Sequence, residues 1–171
     1  MQWNVSQLLK ATVGTEREYE IDELPQECPE LASPLVGEAK LMRTADGILV
    51  TGHLSTSIWC DCSRCLEHFA EEVDFDLIEE FFPTLDVNTG VQLAPRQEDV
   101  FTITPEHILN LAEPARQYAL LRLPLKPLCE AACQGLCPQC GTNLNQQRCT
   151  CAPEQLGSRW AGLEALRKQL R

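Results

Sequence analysis

Six cysteines fall within LCEAACQGLCPQCGTNLNQQRCTC, residues 128–151, and three more within CDCSRC, residues 60–65. No other feature constrains the fold of this chain as strongly. The stretch from 129 to 157 has too few apolar side chains to close a core of its own, so it needs another source of stability to hold one shape. Cysteine sulfur offers two: disulfides, or thiolates gathered on a metal ion.

The spacings favour metal. In Cys62-Ser-Arg-Cys65 and Cys137-Pro-Gln-Cys140-Gly141 two residues separate the thiols, which lets a tight turn aim both sulfurs at one ion. Cys149-Thr-Cys151 is a third close pair. Residues 137, 140, 149 and 151 can close a local four-thiolate site, with the polar, turn-rich GTNLNQQR as a hairpin that folds one pair over the other. Cys129 and Cys133 then join Cys62 and Cys65 in a second site, which ties the strand-forming part of the chain to its cysteine-rich end. Swapped partners satisfy the same spacings. Two zinc ions are the expected complement. CPQCG also suits a rubredoxin-like iron knuckle, and zinc is preferred because no second CPxCG-type loop is present. Structural zinc supplies folding free energy on the order of 10 kcal/mol. Cys28 and Cys60 read as free or partly buried thiols, and His68 as an ordinary surface histidine.

The surroundings of the thiols point the same way. No apolar run approaches the roughly 18 residues of a membrane span. MQWNVSQLLKATVGTEREYEID lacks the basic start, apolar stretch and small-residue cleavage site of a secretory signal. The chain therefore reads as cytoplasmic, where clustered thiols are metal ligands more often than disulfides.

Hydrophobic periodicity assigns the rest to an α+β class: an antiparallel β-sheet body with one long helix over residues 1–127, then a small cysteine-rich zinc module with a C-terminal helix over 128–171. In ILVTGHLSTSI the residues Ile48, Val50, Leu54 and Ile58 share one face, the period-two signature of a half-buried strand. PLVGEAKLM precedes it through TADGI, whose Asp46-Gly47 predicts a two-residue hairpin with glycine at positive φ. FAEEVDFDLIEEFF alternates Phe69, Val73, Phe75, Leu77 and Phe81 with acids. EREYEID is a candidate fourth strand. Residues 83–99 read as a loop. FTITPEHILNLAEPARQYALLRL predicts a short strand and then a helix capped at Thr104, with Pro105 in its first turn and an apolar stripe of Ile108, Leu109, Leu111, Ala112, Ala115, Ala119 and Leu120. Pro114 falls inside that stripe and should kink or divide the helix. SRWAGLEALRKQLR predicts the closing helix.

Charge is uneven. Residues 1–60 carry nine acids and four bases, 61–113 thirteen and two, and 114–171 three and eight. Within a chain of net charge −11, basic territory thus lies only beside the cysteine-rich end, and two filled four-thiolate zinc sites would bring the formal total to about −15. Direct RNA contact would have to use Arg64, Lys126, Arg148, Arg159, Arg167, Lys168 and Arg171, although a solvated helix face also accounts for Arg167, Lys168 and Arg171. The acidic sheet suits a basic protein partner. Glu72, Asp74 and Asp76 share one strand face, as carboxylates holding magnesium in a ribonuclease would, but they join no histidine or nucleophile in a recognisable arrangement. A redox- or zinc-responsive switch built on Cys60 and the knuckle thiols is a third reading.

CSRCLEHF, the FFP that closes the acidic strand, LPLKPLC, CQGLCPQCGTNLN, CTC and RWAGLEALRKQL together resemble the YceD family, the large ribosomal RNA subunit accumulation proteins of bacteria and plastids. The likeness runs from about residue 34 to the end. It implies a role in the synthesis, processing or stability of 23S rRNA and no established enzyme activity; the leading expectation is a non-catalytic factor whose partner is a 23S rRNA precursor or a basic large-subunit ribosomal protein. Cys62 and Cys65 match the family's CxRC pair. Family members that lack the GLCPxCG stretch tend still to have metal-type residues after the LPxxP segment, where Cys129 and Cys133 stand here, which favours the two-site partition.

Overall fold

Alternating apolar and polar residues cannot bury one face as a helix, and each alternating stretch of this sequence is a strand. The computed structural model describes residues 1–93 and 100–152. In chain order the elements are β1 (Gln2–Asn4), α1 (Ser6–Lys10), β2 (Glu16–Glu23), β3 (Leu35–Arg43), β4 (Ile48–Asp61), β5 (His68–Pro83), β6 (Thr102–Ile103), β7 (Ile108–Asn110) and α2 (Ala112–Arg122). A five-stranded sheet has the order β2-β3-β4-β5-β6, and β1 pairs with β7 in a separate two-stranded ribbon.

The first four strands of the sheet are antiparallel. β6 departs from that pattern, lying parallel to β5 through Phe82↔Thr102 and Pro83↔Ile103. The loop between them includes a turn in which the Asp86 carboxylate accepts from the amides of Asn88 and Thr89. Residues 94–99 of the predicted loop lie outside the described residues, as does the predicted C-terminal helix with Arg159, Arg167, Lys168 and Arg171.

One face of the sheet carries the core. Leu35, Leu41, Val50, Leu54, Ile58, Phe75, Leu77 and Phe81 are buried there, joined by Leu8 and Leu9 of α1, Leu109 of β7 and Ala112, Ala115 and Ala119 of α2. Small alanines let α2 lie close against β5. Tyr118 closes the contact: its ring lies 6.4 Å from that of Phe75 and its hydroxyl donates to the Ile78 carbonyl.

The predicted long helix is corrected. Thr104 does not cap a helix; it closes a turn in which the His107 amide donates to the Thr104 carbonyl and His107 takes φ 62°. Ile108 and Leu109 are then extended, because β1 offers them a strand partner. The helix starts only at Ala112 and runs for 11 residues. Pro114 accordingly sits in its first turn, where an N–H has no intrahelical acceptor to lose, so no kink arises.

Gly47 is corrected as well. Arg43 pairs with Ile48, so the β3–β4 connection has four residues, and Gly47 is not among the glycines at positive φ. A Cβ there would stand 2.1 Å from the Phe81 carbonyl oxygen, so close approach of the β5 backbone dictates the glycine. Among the described residues no helix is long and apolar enough to cross a membrane.

Candidate metal centres

β4 and β5 are the two longest strands, and the turn that joins them is the CSRC knuckle. The Cys62 amide donates to the Glu67 carbonyl and the Leu66 amide to the Cys62 carbonyl. The Cys137 amide donates to the Thr142 carbonyl and the Gly141 amide to the Cys137 carbonyl. The two knuckles are therefore one kind of turn. Each needs positive φ at its fifth position, supplied by Gly141 at 71° in one and by Leu66 at 60° in the other.

The chain returns to the first knuckle after α2. The Ser63 amide donates to the Pro127 carbonyl, and Arg64 gives a guanidinium N–H to the Cys133 carbonyl at 2.8 Å. Gly135 packs so closely on Arg64 that a Cβ would come within 3.0 Å of its carbonyl oxygen. The sulfurs of Cys62 and Cys133 then lie 3.7 Å apart and those of Cys65 and Cys129 3.5 Å apart. Cys62, Cys65 and Cys133 are buried, with Phe69, Leu128 and Leu136 packed around them. Cys137, Cys140, Cys149 and Cys151 form a second, more open set. In each set the four sulfurs lie within 4.8 Å of one another. These are the two quartets expected from spacing, and among the described residues they are the only convergent groups of this kind.

A tetrahedral zinc–thiolate site has Zn–S near 2.3 Å, which separates its sulfurs by about 3.8 Å. The observed separations fit that figure and lie far from the roughly 2.05 Å of a disulfide. Acidity also favours a cation. Burial works against the Cys62 thiolate, but the amides of Cys129, Cys65 and Arg64 outweigh it and bring the group down to about 6. Burial and the neighbouring thiols push Cys129 well above the ordinary range. In the second set the Thr142 hydroxyl and amide bring Cys140 down to about 6, while Cys140 beside it and burial push Cys151 up to about 12. Four thiols this close do not all ionise unless a cation stands among them.

The two sets are joined. Asn145 donates an amide N–H to the Cys133 sulfur at 3.2 Å and accepts the Gln134 amide at 2.6 Å. Asn143 and Gln146 donate to the Glu67 carboxylate beside the first knuckle. Sequence spacing gave no sign of these asparagines; the clue would have been that a polar hairpin between two ligand pairs needs its own amides satisfied.

The remaining candidates divide. Arg64 is committed to the Cys133 carbonyl, whereas Lys126 and Arg148 are exposed. Cys28 is buried in the core, its thiol 3.8 Å from the Ala112 carbonyl, and Cys60 also stands outside both sets. His68 stacks on Trp59 and bonds Asp61 on the surface. Glu72, Asp74 and Asp76 are exposed on the sheet face opposite the core, with Asp76 bonded to His53.

An uncharacterized protein of Mycobacterium tuberculosis is 31% identical over 127 residues, covering 74% of this chain and 58% of the relative. The chloroplastic large ribosomal RNA subunit accumulation protein YCED homolog 1 of Arabidopsis thaliana is 25% identical over 189 residues, covering 98% of this chain and 57% of the relative. The chain thus spans little more than half the length of these curated relatives. No solved structure matches it. The profile of the family described as "Large ribosomal RNA subunit accumulation protein YceD" matches residues 50–167, which takes in both knuckles and every cysteine of the two quartets. The chain belongs to the YceD family.

Proposed function

We propose that the protein is a non-catalytic factor for the synthesis, processing or stability of 23S rRNA during large ribosomal subunit assembly in the bacterial cytoplasm, and that its eight clustered cysteines hold two structural zinc ions. The observation that carries this reading is the convergence of four sulfurs in each set, in a member of a family described by large ribosomal RNA subunit accumulation. A four-thiolate site has no open coordination position, as a structural site requires and a catalytic zinc site does not allow. The first ion would fasten the segment after α2 to the tip of the β4–β5 hairpin, and the second would hold that segment's own hairpin closed. The contact served is a 23S rRNA precursor or a basic large-subunit ribosomal protein.

Two measurements test this. Metal analysis of the purified chain should return about two zinc ions per molecule. In cells lacking the gene, 23S rRNA should fall relative to 16S rRNA and recover on expression of the parent chain, but not of the Cys62→Ser, Cys65→Ser variant. A deletion strain with undiminished 23S rRNA would refute the role.

A further inference from the structure

Among the described residues no helix covers the sheet face opposite the core: α1 packs on the core side through Leu8 and Leu9, and α2 through Ala115 and Ala119. Every outward position of β2 is a carboxylate, Glu16, Glu18, Glu20 and Asp22. Glu38 of β3 and Asp76 of β5 continue the acidic field across the sheet. An open trough of about 960 Å³ lies on this face across β2, β3, β4 and β5.

Two cross-strand rows line the trough. One runs Glu18–Lys40–Thr51–Ile78 and the other Glu20–Glu38–His53–Asp76. Both basic groups are already engaged, Lys40 with Glu16 at 2.6 Å and His53 with Asp76 at 2.9 Å. Glu20 and Glu38 stand directly opposite each other and have no cationic partner among the described residues. Like charges in facing cross-strand positions destabilise a sheet, so the arrangement carries a cost that a cationic occupant would relieve. With Lys40 and His53 paired to acids, the lining is left with a net negative charge, which repels phosphates and draws in cations.

The geometry also says what kind of cation. The carboxylates do not converge on a point; the described residues bring only the cysteines together in that way. The carboxylates sit on β2, β3 and β5 and so are spread across the width of four strands, about 14 Å at the usual strand spacing. Ile78, 62% exposed, offers the row an apolar surface suited to the methylene stem of a lysine or arginine.

We infer that this trough is the docking surface for an extended lysine- and arginine-rich segment of a protein partner. The inference rests on the proposed ribosomal role and deepens it: the chain meets the assembling subunit through a basic protein, and does so on the sheet rather than on the cysteine-rich lobe.

The test uses the full zinc-loaded chain and a fluorescein-labelled peptide alternating lysine with serine, read by fluorescence anisotropy. Two variants remove the same charge, Glu20→Gln, Glu38→Gln, Asp76→Asn in the trough, and Glu27→Gln, Glu106→Gln, Glu130→Gln away from it. The trough variant should weaken binding about ten-fold or more, with the control staying within about two-fold, and added salt should weaken binding to the parent. Equal losses in the two variants, absence of binding, or a uridine oligonucleotide bound in the same trough would each overturn the inference. So would full restoration of 23S rRNA by a trough variant that has lost the peptide. If deletion of the gene leaves 23S rRNA unchanged, the ribosomal role itself fails, which is a distinct result.

Discussion

Asn145, from the hairpin of the second cysteine set, donates its side-chain amide to the sulfur of Cys133 in the first, 3.2 Å away. The centres are therefore coupled through one side chain that is itself fixed by the Gln134 amide. Partners of this kind orient a ligand and set how firmly metal is held, typically by 10–100-fold in affinity. Asn145→Ala should release one of two zinc ions about ten-fold more readily in a chelator competition. Asn145→Asp, which keeps the acceptor for Gln134 and loses the donor to sulfur, should behave like the alanine variant; parent-like retention would show that the sulfur contact has no effect.

Cys137→Ser, Cys140→Ser should lower zinc from about two to about one per chain while leaving the unfolding of the sheet in place. The second set draws on residues 137–151 alone, whereas β2–β5 have their own buried core. Limited proteolysis should then cut within 137–152 and spare the sheet. A zinc content unchanged from the parent would contradict the partition.

The two knuckles differ at their fifth position, and that difference is measurable. Leu66 adopts φ 60° while 68% exposed, a conformation that costs a side-chain-bearing residue about 1–2 kcal/mol. Part of that is offset by the freedom glycine has when unfolded. Leu66→Gly should therefore raise stability by up to about 1 kcal/mol, and Gly141→Ala, at φ 71°, should lower retention of the second ion by about as much. Denaturant titration and chelator competition read the two effects. A destabilised Leu66→Gly variant would indicate that the leucine side chain has a packing partner.

Glu30 links the segment before β3 to α2, its carboxylate accepting from Arg116 Nε at 3.1 Å and Nη2 at 2.5 Å. The hydrogen bond from Arg116 is the main cause that holds Glu30 below the usual carboxylate range. A depressed folded pKa contributes stability that is complete above the unfolded value of about 4.3 and is lost as pH falls through the folded one. Arg116→Met should thus lower the urea midpoint at pH 7, and the gap from the parent should close in acid. A gap that persists undiminished to about pH 3 would argue against the linkage.

The sheet was legible because a half-buried strand leaves a period of two: Ile48, Val50, Leu54 and Ile58, then Val73, Phe75, Leu77 and Phe81, lie on the core side as their alternation requires. The cysteine quartets were legible because a two-residue spacing makes a knuckle whatever surrounds it. The features that stayed open were decided by partners distant in the chain. Ile108 and Leu109 fit a helical stripe until β1 is there to pair with them. β1 and α1, with 3 and 5 residues, are too short to show any period. Gly47 answers to the Phe81 carbonyl, which no local pattern reveals. EREYEID reads only as a candidate strand, and the register with β3 is what sets Glu20 against Glu38.

Cys65 and Cys129 are 64 positions apart. With an ion between their sulfurs, the backbone from 65 to 129 becomes a closed ring that contains β5, β6, β7 and α2. Tension applied at the two ends of the polypeptide would pass across that ring at the sulfurs and leave its contents unstretched. Mechanical extension of that ring would then have to wait for the metal to leave.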